Sequence, residues 1–357
     1  MNSLSMICFE HQMDMMQIDR MFIGDLIGFK YKHNVLNEDV ELICEGVFDA
    51  VKRFISTILE KLRDFFQNII DFFGNLFKKE KIASAKKNLD TAKSNIKNNP
   101  KKVEKKITSV STTGSTTVST SGSATSTGKQ LPDSKKEVEA SSGIFKFVYA
   151  LNVSFIQNST NSMNIDTLNN IVDSLTSKPD KFANLRKEQI DTNCKNVKDT
   201  YITTIVDSIN AQVNSFGIPK LVIKDYNETA RLYEYLHKIK FTPNFKSVND
   251  VYQFLEKVYD GLNYYNNNND KVVNLISAKK KEIDKINKKI SGVDSYQLMK
   301  NTEIVSSESE KISSSIRYLV NQCASTMSYT IELFARVWSA GLANVLFNVD
   351  VLSKLAS

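Results

Sequence analysis

Residues 41–79, ELICEGVFDAVKRFISTILEKLRDFFQNIIDFFGNLFKK, decide how the rest of the chain is read. Val47, Val51, Phe54, Ile55, Ile58, Leu59, Leu62, Phe65, Phe66, Ile69, Ile70, Phe73, Leu76 and Phe77 recur three and four residues apart. That repeat gathers side chains on one side of an α-helix. Asp49, Lys52, Arg53, Ser56, Glu60, Lys61, Arg63, Asp64, Gln67, Asn68 and Asp71 fill the other side. The spacing predicts an amphipathic helix over 46–77, about 48 Å long at the α-helical rise. Phe54, Ile58, Leu62, Phe65, Phe66, Ile69, Phe73 and Phe77 form the face that a membrane or a partner helix would cover. Its polar side mixes acids with bases and lacks the Lys/Arg dominance of a surface-seeking helix, which favours helix-on-helix packing or self-assembly over lipid.

Around this stretch, composition points to an all-α chain. Of 357 residues, 41% are hydrophobic and 24% charged, close to globular averages, while Gly (12) and Pro (5) are scarce. Scarce breakers favour helices, and the length suggests about two domains. Cys8, Cys44, Cys194 and Cys323 are far apart and lack a C-x-x-C pair or neighbouring histidines, so neither a disulfide framework nor a zinc site is indicated. A reducing compartment is expected. The start lacks the basic and apolar regions of a secretory signal. The most apolar late run, MSYTIELFARVWSAGLANVLFNVDVL, carries Glu332, Arg336 and Asp350, which suits a buried bundle helix better than a membrane span.

Four segments follow along the chain. Residues 1–45 are Met-rich and weakly periodic, with eight acids against Arg20, Lys30 and Lys32, a charge of about −5. They form an acidic N-terminal segment and a candidate propeptide. Residues 46–77 are the amphipathic helix. Residues 78–140 read as a basic, Ser/Thr-rich flexible linker. Lys78, Lys79, Lys81, Lys86, Lys87, Lys93, Lys97, Lys101, Lys102, Lys105 and Lys106 are opposed only by Glu80, Asp90 and Glu104. The Ser/Thr/Gly run behind them lacks the apolar surface to offset ordering, so a disordered tether is expected. Such a basic arm has the composition of a non-specific DNA contact or of a solvated linker.

Residues 141–357 read as an elongated helical bundle. Ser247 and Asp250 have capping-box spacing ahead of VYQFLEKVYDGL. Ile276, Ile283, Ile286 and Ile290 mark a coiled-coil-like helix. A longer run follows through Ile312, Ile316, Leu319, Cys323, Met327, Ile331, Phe334, Trp338, Leu342, Val345 and Val349.

Sequence motifs for chemistry are absent. The run from Gly122 to Gln130, GSATSTGKQ, departs from a phosphate-binding loop by one extra spacer residue and by Gln130 after Lys129. N-x-S/T matches at Asn152, Asn158 and Asn227 are expected by chance in a chain this rich in Asn, Ser and Thr. His11, His33 and His237 are dispersed. No catalytic residue, cofactor or metal site is expected, and the chain reads as a non-enzyme.

Ile43, Cys44 and Glu45 followed by Gly46 give hydrophobic residue, any residue, Glu and small residue in order. This resembles the processing sites cut by prohead maturation proteases of large tailed bacteriophages. Leu36-Asn37-Glu38 fits three positions but is followed by Asp39, and Glu137-Val138-Glu139 before Ala140 fails at the first. An acidic segment, a candidate cut, an aromatic-rich helix and a Lys-rich stretch, in that order, resemble the internal head proteins of such phages. The resemblance covers the first third of the chain. It implies a virion structural protein, made in the bacterial cytoplasm, trimmed in the prohead and resident in the phage head. Its partners would be other virion or capsid proteins, packaged duplex DNA bound non-specifically, and further copies through its helices. Loss of about −5 from a chain of +7 would leave about +12, so the acidic segment is expected to shield the lysines until cleavage. A membrane-associated or membrane-active amphipathic protein and a cytosolic helical adaptor are the alternatives.

Overall fold

The computed structural model describes residues 4–36, 40–76, 78–112, 165–176, 245–294 and 309–357, with isolated positions between them. Their regular structure is entirely α-helical: α1 (Leu4–Leu36), α2 (Val40–Leu76), α3 (Lys79–Asn98), α4 (Pro100–Thr112), α5 (Ile165–Thr176), α6 (Val248–Ser291) and α7 (Ser309–Ala356). No strand occurs among the described residues. The all-α expectation holds, with α6 and α7 reaching 44 and 48 residues.

The chain folds into two compact units that cut across the segments read from sequence. One comprises Met1–Asn75, Ile156–Tyr201 and Asp270–Ala335, the other Leu76–Phe155, Ile202–Asn269 and Arg336–Ser357. A boundary near residue 141 is therefore not where the fold divides. The two longest helices each give one half to each unit.

In the first unit, α2 supplies the core. Phe48, Val51, Phe54, Ile55, Ile58, Leu59, Leu62, Phe65, Phe66, Ile69 and Phe73 are all buried. Each such side chain contributes roughly 1.5–3 kcal/mol relative to exposure. α2 starts at Val40, six residues before the expected start, because Gly46 is carried inside the helix at a cost of about 1 kcal/mol. From α6, Val272, Ile276, Ile283, Ile286 and Ile290 are buried, and from α7, Ile316, Leu319, Val320, Cys323, Met327 and Ile331. Phe73 meets Phe334 edge-on at 6.0 Å. Lys52 donates to the Val293 carbonyl at 2.5 Å and Lys280 to Gln67 at 2.8 Å. α5 buries Ile165, Leu168, Ile171, Val172 and Leu175, and Lys289 holds it through Asn169 and Asp173.

The acidic segment, weakly periodic in sequence, is the 33-residue helix α1. Leu4, Ile7, Cys8, His11, Ile18 and Phe22 are buried along one of its sides.

The second unit corrects the reading of 78–140 as a flexible linker. Residues 79–112 form α3 and α4, while the Ser/Thr run beyond lies outside the described residues. Ile82, Ala85, Leu89, Ala92 and Ile96 are buried on a strict three-four repeat, followed by Val103 and Ile107 on α4. Seven apolar side chains among eleven lysines suffice because they share one side of each helix. Pro100 separates the helices, having no N–H for α3 and a pre-set φ for the first position of α4. The Asn99 carbonyl accepts from Lys102 and Val103.

α6 begins with the expected capping box. Ser247 N–H donates to Asp250 Oδ2 at 2.9 Å, and Asp250 N–H donates to Ser247 Oγ at 3.2 Å. Val251, Phe254, Leu255, Val258, Leu262 and Tyr265 are then buried. Tyr265 stands edge-on to buried Trp338 of α7 at 4.9 Å. The Asn tract at 266–269 does not interrupt the helix, and Asn268 donates back to the Tyr264 carbonyl.

If α3 is packed and not a tether, Leu89→Ala lowers stability by about 2–5 kcal/mol, whereas exposed Lys87→Ala changes it by less than about 0.5 kcal/mol. Urea unfolding followed by circular dichroism measures both, and equal small effects would restore the linker reading.

Candidate functional site

The residues singled out from sequence fall into three places. Ile43, Glu45 and Gly46 lie within the first two turns of α2, so the candidate scissile bond is in helical backbone. The side chains of Ile43 and Glu45 are outside the described residues; Gly46 is half-buried and Phe48 buried. Phe54, Ile58, Leu62, Phe65, Phe66, Ile69 and Phe73 are buried inside the first unit, and Phe77 lies outside the described residues. This face is therefore covered by the chain itself and is not an open membrane or partner surface. No helix among the described residues is long and apolar enough to cross a membrane.

The lysines form a helical surface in the second unit. Lys78, Lys81, Lys87, Lys93, Lys97, Lys101, Lys102 and Lys105 are exposed and Lys86 and Lys106 half-buried, while the Lys79 side chain is not described. Three are engaged within the unit. Lys93 pairs with Glu256 at 2.7 Å and lies 5.7 Å from the Tyr259 ring centroid. Lys102 donates to the Ser357 carbonyl and Lys106 to that of Lys354. The hydrogen bond from Lys93 to Glu256 holds the ammonium pKa above its ordinary value. Tyr259 donates to Asp90; burial, then that bond, raises its phenol pKa.

The site that sequence reading missed is the seam between α1 and the rest of the first unit. The His11 ring stacks on Phe65 with centroids 4.2 Å apart, and its Nε2 lies 2.6 Å from Ser328 Oγ. Phe22 packs against Phe54 at 4.6 Å. Arg317 grips Asp19 through Nε and Nη2 at 2.5 and 2.6 Å, and Asn321 adds a third bond at 2.8 Å. Asp14 pairs with Lys61 at 3.1 Å and Asp25 with Arg53 at 3.6 Å. These acids thus pair with bases of α2 and α7. The expectation that they shield Lys78 to Lys106 is corrected accordingly: their ion pairs go to Arg53, Lys61 and Arg317.

The His11–Ser328 contact superficially pairs a base with a hydroxyl. Ser328 Oγ also lies 2.9 Å from the Ala324 carbonyl, as its donor, and Asp14 is committed to Lys61. Burial lowers the His11 pKa from 6.5 to about 4, opposed by Asp14 and assisted by Lys61. A neutral, stacked imidazole of that basicity serves packing and not proton abstraction near neutrality. On Asp19, the hydrogen bonds from Arg317 outweigh desolvation and hold the carboxyl below its ordinary value. Among the described residues no three His, Cys, Asp or Glu side chains converge as a metal site would require.

Comparison of the chain with protein-family models, with curated proteins and with solved structures gives no match.

His11 makes the seam sensitive to acid. Its folded pKa lies below its unfolded value, so its contribution is present above pH 6.5 and is lost as pH falls toward about 4. The loss reaches about 3 kcal/mol at most. Asp19 acts at lower pH, its contribution disappearing as the carboxylate protonates below its ordinary range. His11→Gln is expected to flatten the stability profile between pH 6.5 and 4, measured by urea unfolding at each pH.

Proposed function

We propose that this chain is a non-enzymatic structural protein of a tailed-phage head, made as a precursor in which α1 is an acidic, folded cover. The observation that carries this reading is the Glu45–Gly46 pattern lying between α1 and the helix that α1 covers. Loss of residues 1–45 would uncover Phe54 and Phe65 together with Arg53, Lys61 and Arg317. A closed unit would become one with an apolar, basic face suited to neighbouring head proteins. This replaces the simple unmasking of a basic arm. The long α6 and α7 support a role in assembly through packing along their length.

Packaged DNA is the second partner in this proposal. Lys81, Lys87, Lys97, Lys101 and Lys105 remain exposed on α3 and α4 for phosphate contact. Their contribution is electrostatic and independent of base sequence.

Intact mass and N-terminal peptide mapping of the protein isolated from its particles test the processing step. A chain beginning at Gly46 is expected; one beginning at Met1 would leave an uncut helical scaffold as the reading. Changing the five exposed lysines to Gln is expected to weaken duplex binding and to lower the salt slope by about 0.9 for each phosphate that is no longer neutralised. An unchanged slope in fluorescence anisotropy titrations would remove DNA from the proposal.

A further inference from the structure

α1 carries a second apolar face that the first unit does not use. Phe9, Met13, Met16, Met21 and Ile27 are between 49% and 64% exposed. At 100° per residue they fall within an arc of about 140°, opposite the buried Leu4, His11, Ile18 and Phe22. On a monomeric protein, exposed Met and Phe side chains gathered along one helix mark a contact surface. The same arc carries exposed Glu10 and Arg20, and Gly24 with open space above it.

The arrangement is self-complementary. Glu10 and Arg20 stand equally far, about 7.5 Å along the axis, on either side of residue 15. A two-fold axis there sets two α1 helices antiparallel and brings Glu10 of each copy onto Arg20 of the other. Phe9 then falls against Met21 of the second copy and Met13 beside its Met16, while Gly24 permits close helix approach. An isologous contact requires this kind of pairing of a patch with itself. Lipid fits less well, because residues 4–27 carry Glu10, Asp14, Asp19 and Asp25 against Arg20 alone.

We propose that the Phe9–Ile27 face of α1 is a homodimer surface, in which two copies pair antiparallel with Glu10 set against Arg20. The stripe is about 27 Å long and buries less than the roughly 800 Å² per partner of a standard interface, so the dimer is weak. It stands whether or not the chain is cut, and in a processed chain it would belong to the precursor.

Sedimentation velocity of the full-length chain, from about 1 to 200 µM, is the test. A monomer–dimer equilibrium is expected, with Glu10→Arg or Arg20→Glu raising the dissociation constant about tenfold through two like-charge contacts per dimer. The double variant Glu10→Arg/Arg20→Glu, with the pair inverted, is expected to return it to within about threefold of the parent. Met13→Lys with Met16→Lys should abolish dimers while circular dichroism stays unchanged. A monomer at every concentration overturns the proposal, as does a dimer indifferent to the single reversals or not restored by the double. Flotation with neutral vesicles that disappears in the Met13/Met16 variant, without a dimer, would assign the face to lipid and also overturn it.

Discussion

The aromatic and aliphatic face of α2 must be kept from water, and most of the first unit follows from that constraint. A helix with an apolar stripe from Phe48 to Phe73 gains little alone, because its stability comes from what covers the stripe. α1 and the first half of α7 meet at this face, through Phe22, His11 and Phe334. Polar groups then have to be satisfied at the seam. Asp19 is matched by Arg317 and Asn321, and His11 stays neutral beside Ser328. The ionic contacts at the exposed rim add register more than stability, since solvent screens pairs such as Asp25–Arg53.

The second unit solves the same problem with less apolar material. α3 offers two alanines among its five buried positions, so helices can approach closely there but each position contributes little area. The larger side chains come from α6 and α7, where Phe254, Tyr265 and Trp338 are buried. Lysines on α3 extend past this narrow seam, and Lys93 folds back onto Glu256 and Tyr259. Charge run and core stripe thus coexist on a single helix.

This coexistence explains what could be read from sequence and what could not. α2, α6 and α7 were legible because large apolar residues recur on one side of each for many turns. The capping box at Ser247 was legible because it is local. α1 was not: Leu4, His11, Ile18 and Phe22 on one side and Phe9, Met13, Met16 and Met21 on the other cancel any single apolar direction. α3 was not, because Ala85 and Ala92 hold core positions that look neutral in composition, beside a conspicuous lysine run. The Ile82, Leu89, Ile96 heptad was nevertheless present, and weighing it above net charge would have found the helix. The interleaved units depend on which distant helix covers which half of α6 and α7, information that no local pattern carries. Nor could a three-residue cleavage pattern report that its backbone is helical.

The position of that pattern separates cutting from release. A protease needs extended backbone, so the Glu45–Gly46 bond is a substrate only when the first turns of α2 unwind. Such end-fraying is cheaper than opening a helix interior, and Gly46 gives up about 1 kcal/mol less helical preference than Ala would. The packed core begins at Phe48, two residues beyond the bond, so unwinding to Gly46 leaves the stripe covered. Cutting there would sever the chain without freeing α1, which remains held by the Phe65–His11 stack, the Phe22–Phe54 contact and the Arg317–Asp19 pair. Release is a second event with its own barrier. Protonation of His11 at falling pH, or competition for the α2 face by another apolar surface, would lower it, so the order of assembly could be set by what meets the chain after the cut.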